Sequence, residues 1–181
     1  LEKAIREELK KQRRQLDFAQ SGERALHALQ SLNRDLKDRN ESSAQIDGVI
    51  EKTTGELAKA DLEKVVNLDL QDNQLTKLPE GLENLTQLKQ LELSDNQLTD
   101  VTGLEKLNRL TWLGLNFNQL TDVKSLENLT QLEELWLAGN QLTDVTGLEN
   151  LTQLTVLNLD GNKLADVTGL ENLTQLEMLG L

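Results

Sequence analysis

Leu129–Asn150 reads LTQLEELWLAGNQLTDVTGLEN, and the phrase inside it, LxxLxLxxNxL, decides the fold. Five asparagines close the same phrase along the chain: Asn73, Asn96, Asn118, Asn140 and Asn162, at intervals of 23, 22, 22 and 22 residues. A fixed period in this range marks a solenoid, in which each unit buries its apolar face against the next. Such an array has no single deep core to wrap around an active site. Five full copies begin at Val65, Leu88, Leu110, Leu132 and Leu154, and a sixth runs from Leu176 to Leu181. The first copy is one residue longer and carries Leu78-Pro79-Glu80 where later copies have Asp-Val.

Within the copy that begins at Leu132, alternation of Leu132, Leu135 and Leu137 predicts a short strand with those side chains turned inward. Asn140 then falls where the chain must turn. A buried amide is tolerated only when bonded, so a ladder of asparagine bonds to neighbouring turns is expected. Leu142, Val145, Leu148 and Leu151 supply the remaining core on the return, and Thr143-Asp144 and Gly147 are turn formers. Each buried leucine is worth about 1.5–3 kcal/mol.

These copies resemble the bacterial leucine-rich repeats, in the short 22-residue form of the internalins, over residues 53–181. The resemblance implies an α/β solenoid, a right-handed superhelix with a parallel concave β-sheet and 3₁₀ turns or extended segments outside. It also implies protein recognition by the concave face, and it brings no catalytic residues. By the same likeness, Thr53–Val65 (TTGELAKADLEKV) is expected to be a helical cap. Thr53 and Glu56 fit a capping box there, and Leu57, Leu62 and Val65 cover the first repeat. No such cap follows Leu181, and the chain starts at Leu1 without methionine, so it reads as part of a longer protein.

Residues 1–52 lie outside the repeat. Leu1, Ile5 and Leu9 share one helical face, followed by Leu16 and Ala19; Gly22 is a break; Leu26, Leu29, Leu32 and Leu36 mark a second helix. The expectation is an α-helical amino-terminal region with no strict heptad, hence no long coiled coil. LEKAIREELKK (Leu1–Lys11) and TGEL (Thr54–Leu57) resemble two pieces that run nearly together in related bacterial proteins. The segment between them reads as a helical insertion or hairpin, serving either oligomerisation or docking, or as an extension of the cap.

The sequence has no cysteine, which excludes disulfides and thiolate metal sites. Residues 1–60 carry 12 basic and 11 acidic side chains; residues 61–181 carry 7 and 20, a net charge of −13. Such a repeat region repels phosphate backbones and anionic lipid and favours a basic partner, if its acidity does more than keep the protein soluble. No apolar run approaches the roughly 20 residues of a membrane span. No targeting signal is visible, so the compartment stays open.

Catalysis has little support. His27 is the lone histidine and lies between Leu26 and Leu29 with no nucleophile beside it. The Asp100, Asp122, Asp144 and Asp166 ladder reads as turn-bonding residues and lacks the clustering of a calcium loop. No phosphate-cradling glycine motif is present, so no cofactor is expected. The Asn-Leu-Thr sequons at Asn84, Asn128, Asn150 and Asn172 arise from the repeat itself.

The copies differ where the strands face outward. The return segment QLTDVTGLENLTQL, or a close variant, appears four times, while the strand-face positions change freely. Trp112, Phe117 and Trp136 fall on that face and are expected to form one patch, extended by Val156 and Met178. Small residues (Gly114, Ala138, Gly139 and Gly161) leave room beside the rings, and Glu92, Glu134 and Asn158 lie among them. Asp69, Asp72, Asp95, Glu133, Asp160 and Glu177 complete an acidic rim. Tryptophan is the residue most enriched in binding hot spots. The expected function is therefore a non-catalytic module binding a protein or peptide through this face, and the acidic rim favours a basic one. Alternatively the aromatics pack on each other or under the helical segment. Two other roles fit the same chain: an assembly protein oligomerising through residues 1–52, or the recognition part of a larger enzyme.

Overall fold

The computed structural model describes residues 65–79 and 81–181. The helices expected in residues 1–52, His27, and all but the last residue of the cap expected over Thr53–Val65 lie outside the described residues. Val65, the last residue of that proposed cap, is fully buried.

Six three-residue strands form one parallel sheet in chain order: β1 (Asn67–Asp69), β2 (Gln90–Glu92), β3 (Trp112–Gly114), β4 (Glu134–Trp136), β5 (Val156–Asn158) and β6 (Met178–Gly180). Each strand is so short because only one inward leucine per strand separates two turns. That central leucine pairs with its repeat equivalent all along the sheet, from Leu68 with Leu91 to Leu157 with Leu179. The 23-residue first interval is absorbed outside the strands, so the register never slips. A slip of one residue would turn every core leucine out to water.

The leucines on both sides of each strand fill a continuous core. Leu88, Leu91, Leu93, Leu110, Leu113, Leu115, Leu132, Leu135 and Leu137 are all fully buried. On the return arm Leu98, Leu104, Leu107, Leu142, Leu148 and Leu151 are equally closed to solvent. Leu179, on strand β6 with one neighbouring strand only, is 43% exposed. Burial thus comes from stacking.

The expected asparagine ladder is present. Asn96 donates to the carbonyls of Leu70, one repeat back, and Leu93, its own, each at 2.9 Å, and accepts from the Asn73 and Leu75 amides at 3.0 and 2.9 Å. Asn118, Asn140 and Asn162 repeat the pattern, accepting from Leu98, Leu120 and Leu142 at 3.0, 3.1 and 3.0 Å. Asn73 Oδ1 is buried with no partner among the described residues.

The return arm turns on 3₁₀ geometry at Leu82–Asn84, Leu104–Lys106 and Lys124–Leu126. The first two follow left-handed glycines, Gly81 (φ 91°) and Gly103 (φ 113°). Ser125 takes that place in the third copy, where a Cβ would make left-handed backbone unfavourable by about 1–2 kcal/mol. The turn there starts two residues earlier by repeat position, behind Val123 at φ −136°. The aspartates of the return arm bond turn amides: Asp100 accepts from Thr102 at 2.8 Å, Asp144 from Thr146 at 2.9 Å and Asp166 from Thr168 at 3.0 Å.

Candidate functional site

The register sorts the outward residues into rows that run across the strands. One row holds Asn67, Gln90, Trp112, Glu134, Val156 and Met178; the next holds Asp69, Glu92, Gly114, Trp136, Asn158 and Gly180. Adjacent members of a row sit about 4.8 Å apart. The two tryptophans therefore occupy neighbouring strands but different rows, with Gly114 between them: it follows Trp112 by two residues and pairs directly with Trp136.

Gly114 is the floor of the arrangement. A Cβ there would lie 2.7 Å from Trp112 Cη2 and 2.8 Å from Glu92 Cδ. The missing side chain lets the indole and the carboxylate converge over one backbone position. Both tryptophans are half-buried. The Trp136 indole N–H donates to Glu134 Oε2 at 3.2 Å, and Glu92 Oε1 accepts the Ser94 amide at 2.8 Å. These bonds hold both carboxylates in place at the ring edges. On the side towards β1 opens a shallow groove of about 360 Å³, lined by Asn67, Asp69, Gln71, Gln90, Glu92 and Trp112 with Leu68 behind them.

Phe117 has a different backbone setting from the tryptophans. It lies three residues beyond the end of β3, in left-handed backbone (φ 53°), and is 61% exposed. Asp72, Asp95, Gly139 and Gly161 occupy the same repeat position, all with positive φ. The Phe117 ring rests on the next repeat: a Cβ on Gly139 would meet its Cδ1 at 2.6 Å. The aromatic residues grouped by the sequence thus occupy two backbone settings, with the tryptophans on strands around Gly114 and Phe117 on the adjoining turn. Val156 is half-buried between Glu134 and Met178, and Met178 is 55% exposed. Asn158 pairs with Trp136 and accepts from the Asp160 amide at 2.9 Å.

Several residues of this face gave no sign in the sequence. Ser94 Oγ accepts the Asn116 amide at 3.1 Å, and Asn116 Oδ1 accepts the Ala138 amide at 2.8 Å. This row links successive turns beside the buried asparagines. Asn67, Gln71 and Gln90 line the groove yet carry no charge or ring to single them out; aligning the copies row by row would have found them. Among the described residues no cluster of three or more acidic, histidine or cysteine side chains is placed to hold a metal. No helix among them is long and apolar enough to cross a membrane.

The family model for leucine-rich repeats matches residues 63–106 and 108–150. Among solved structures, internalin C2 of Listeria monocytogenes is similar at 33% identity and a TM-score of 0.63, over 66% of this chain and 53% of that one. Internalin F of the same organism is 34% identical with a TM-score of 0.61, over 67% of this chain and 36% of its own. A plant peptide hormone receptor, RGFR1, solved in complex with RGF2, is 33% identical with a TM-score of 0.58, over 69% and 21% of the two chains. The chain spans about half of internalin C2 and about a third of internalin F. A comparison with curated proteins gives no match. With its period, its parallel sheet and these likenesses together, the described part of this chain is a leucine-rich-repeat array of the short, internalin-like kind.

Proposed function

We propose that the chain is a non-catalytic recognition module that binds a protein or peptide on its concave face, centred on Trp112 and Trp136. The observation that carries this is the contrast between rows. Inward positions beside the strands repeat leucine with Val65 as the one departure, while the outward rows change at every strand and place two half-buried indoles around a glycine. A Trp136 indole bonded to Glu134, and a Trp112 indole beside the Glu92 carboxylate, suit a partly apolar, basic partner surface. Glu92, Glu134, Val156, Asn158 and Met178 form the rest of the contact, with Phe117 as an outlying anchor. The acidity of the face argues against nucleic acid and anionic lipid. The plant receptor with a peptide ligand supports a protein or peptide occupant for this kind of array.

The test is calorimetric. A protein captured on the immobilised chain is purified and titrated against the wild type, Trp112→Ala and Trp136→Ala, with circular dichroism as the folding control. Each substitution is expected to weaken binding by at least about 2 kcal/mol. Unchanged affinity in both variants would overturn the proposal.

A further inference from the structure

The groove over β1–β3 differs from the rest of the face. Its long wall is the Trp112 indole, and its polar walls are the carboxylates of Asp69 and Glu92 with the amides of Asn67, Gln71 and Gln90. Each carboxylate already has one oxygen bonded to a backbone amide, Asp69 to Gln71 at 3.0 Å and Glu92 to Ser94 at 2.8 Å. Those bonds orient the groups without neutralising them, and among the described residues no cationic side chain is seen to pair with either carboxylate. Two negative charges and an aromatic ring therefore line one shallow concavity, whose roughly 360 Å³ leaves ample room for a long side chain. Gly114 makes this possible, since a Cβ there would push both the ring and the Glu92 carboxylate aside.

We propose that this groove is a subsite for one arginine side chain of the partner. A guanidinium is planar, stacks on an indole and donates to two carboxylates at once. The amides of Gln71 and Gln90 offer further acceptors for its remaining donors. An ammonium would satisfy the charge but leave the flat ring surface uncovered, so lysine is the weaker occupant. The inference rests on the concave-face proposal and gives its partner a chemistry: an arginine-bearing segment lying over β1–β3, with its apolar contact on the Trp136 side.

The experiment needs no partner and is therefore separable from the calorimetric test above. The full chain is titrated with Nα-acetyl-arginine amide and followed by NMR at the two indole N–H signals and the amides of Asp69 to Ser94. Saturable shifts are expected at Trp112 and the β1–β2 amides, with Kd on the order of 1 mM for so small a ligand. The neutral, nearly isosteric citrulline analogue and the lysine analogue should bind at least about fivefold more weakly. Asp69→Asn and Glu92→Gln keep the amide-accepting oxygen and should each weaken the arginine probe by a similar factor. Shifts centred on Trp136, equal responses to arginine and citrulline, or no saturation would overturn the subsite. Those outcomes would leave the recognition role of the face to stand or fall on the tryptophan variants.

Discussion

Gly147 and Gly161 are both left-handed, with φ of 98° and 66°, but they differ in what surrounds them. A Cβ on Gly147 would lie 2.7 Å from Lys124 Cα and 3.0 Å from the Val123 carbonyl, which are backbone atoms of the early 3₁₀ turn. On Gly161 its nearest neighbour would be Gly139, at 3.7 Å. Gly161→Ala should therefore cost only the left-handed penalty, about 1–2 kcal/mol. Gly147→Ala adds a clash that no side-chain rotation relieves, and should cost clearly more; urea unfolding of both variants measures the difference. Phe117 presents the reverse case, a ring in left-handed backbone that leaves most of its surface in water. Phe117→Asn should leave stability unchanged or raise it by roughly 0.5 kcal/mol, since asparagine tolerates this region. A residue that gives so little to the fold is free to serve contact with a partner. Asp144 carries a pH dependence. The Thr146 amide foremost, then the Thr146 hydroxyl, hold its carboxyl below the ordinary 3.8. A depressed folded value means stabilisation that is complete above 3.8 and lost as pH falls through the lower, folded value. NMR titration of Asp144 should place its midpoint below 3.8, and Thr146→Ala should bring it back part of the way, since the backbone donor remains.

The strands are too short to persist by themselves, and the asparagine side chains tie their turns together. Asn118 Oδ1 takes the Leu98 amide from one repeat, and its Nδ2 reaches the Leu93 carbonyl of that repeat and Leu115 of its own. Replacing it with alanine strands a buried N–H and carbonyls on two neighbouring turns. Asn118→Ala should cost about 2–3 kcal/mol, by denaturant unfolding with an unchanged m-value. Asn162→Ala should cost less, because its site is only half-buried and water can take over part of the bonding. These elements were legible in the sequence because a buried amide and a buried leucine each leave a strict periodic trace. The start of the third return turn was not, since it follows from Ser125 lacking the freedom of Gly103, a local backbone choice with no periodic signature. The same limit applies to the site. Spacing says that Trp112 and Trp136 face outward on adjacent strands. It does not say that the Trp112 ring folds over Gly114 beside Glu92, nor that Phe117 belongs to a turn, because rotamers and left-handed backbone depend on neighbours rather than on period.

Across the array, packing passes from each strand to the next, and the strongest contacts between elements join immediate neighbours. Stability should then be close to a sum of repeat terms and interface terms. Deleting residues 141–162 removes one whole period, from after Asn140 through Asn162, and joins Asn140 to Lys163 in the same phase. Met178–Gly180 would then pair with Glu134–Trp136 in the register that Val156–Asn158 now holds. That variant should unfold cooperatively at a lower urea midpoint. Deleting residues 141–151, half a period, puts return-arm residues where strand residues belong and should abolish the cooperative transition. Equal stability of the two deletions would show that the period does not govern the fold. The full-period deletion also separates the two halves of the concave face. β1–β3 and their groove do not depend on β5, so the arginine probe should bind it as it binds the wild type. A partner that spans the face would lose Val156 and Asn158 and gain Met178 and Gly180 beside Trp136, and its affinity should fall. Unchanged probe binding with weakened partner binding would place the recognised surface across at least β1–β5. Loss of both would mean that the groove is held open by more than its own strands.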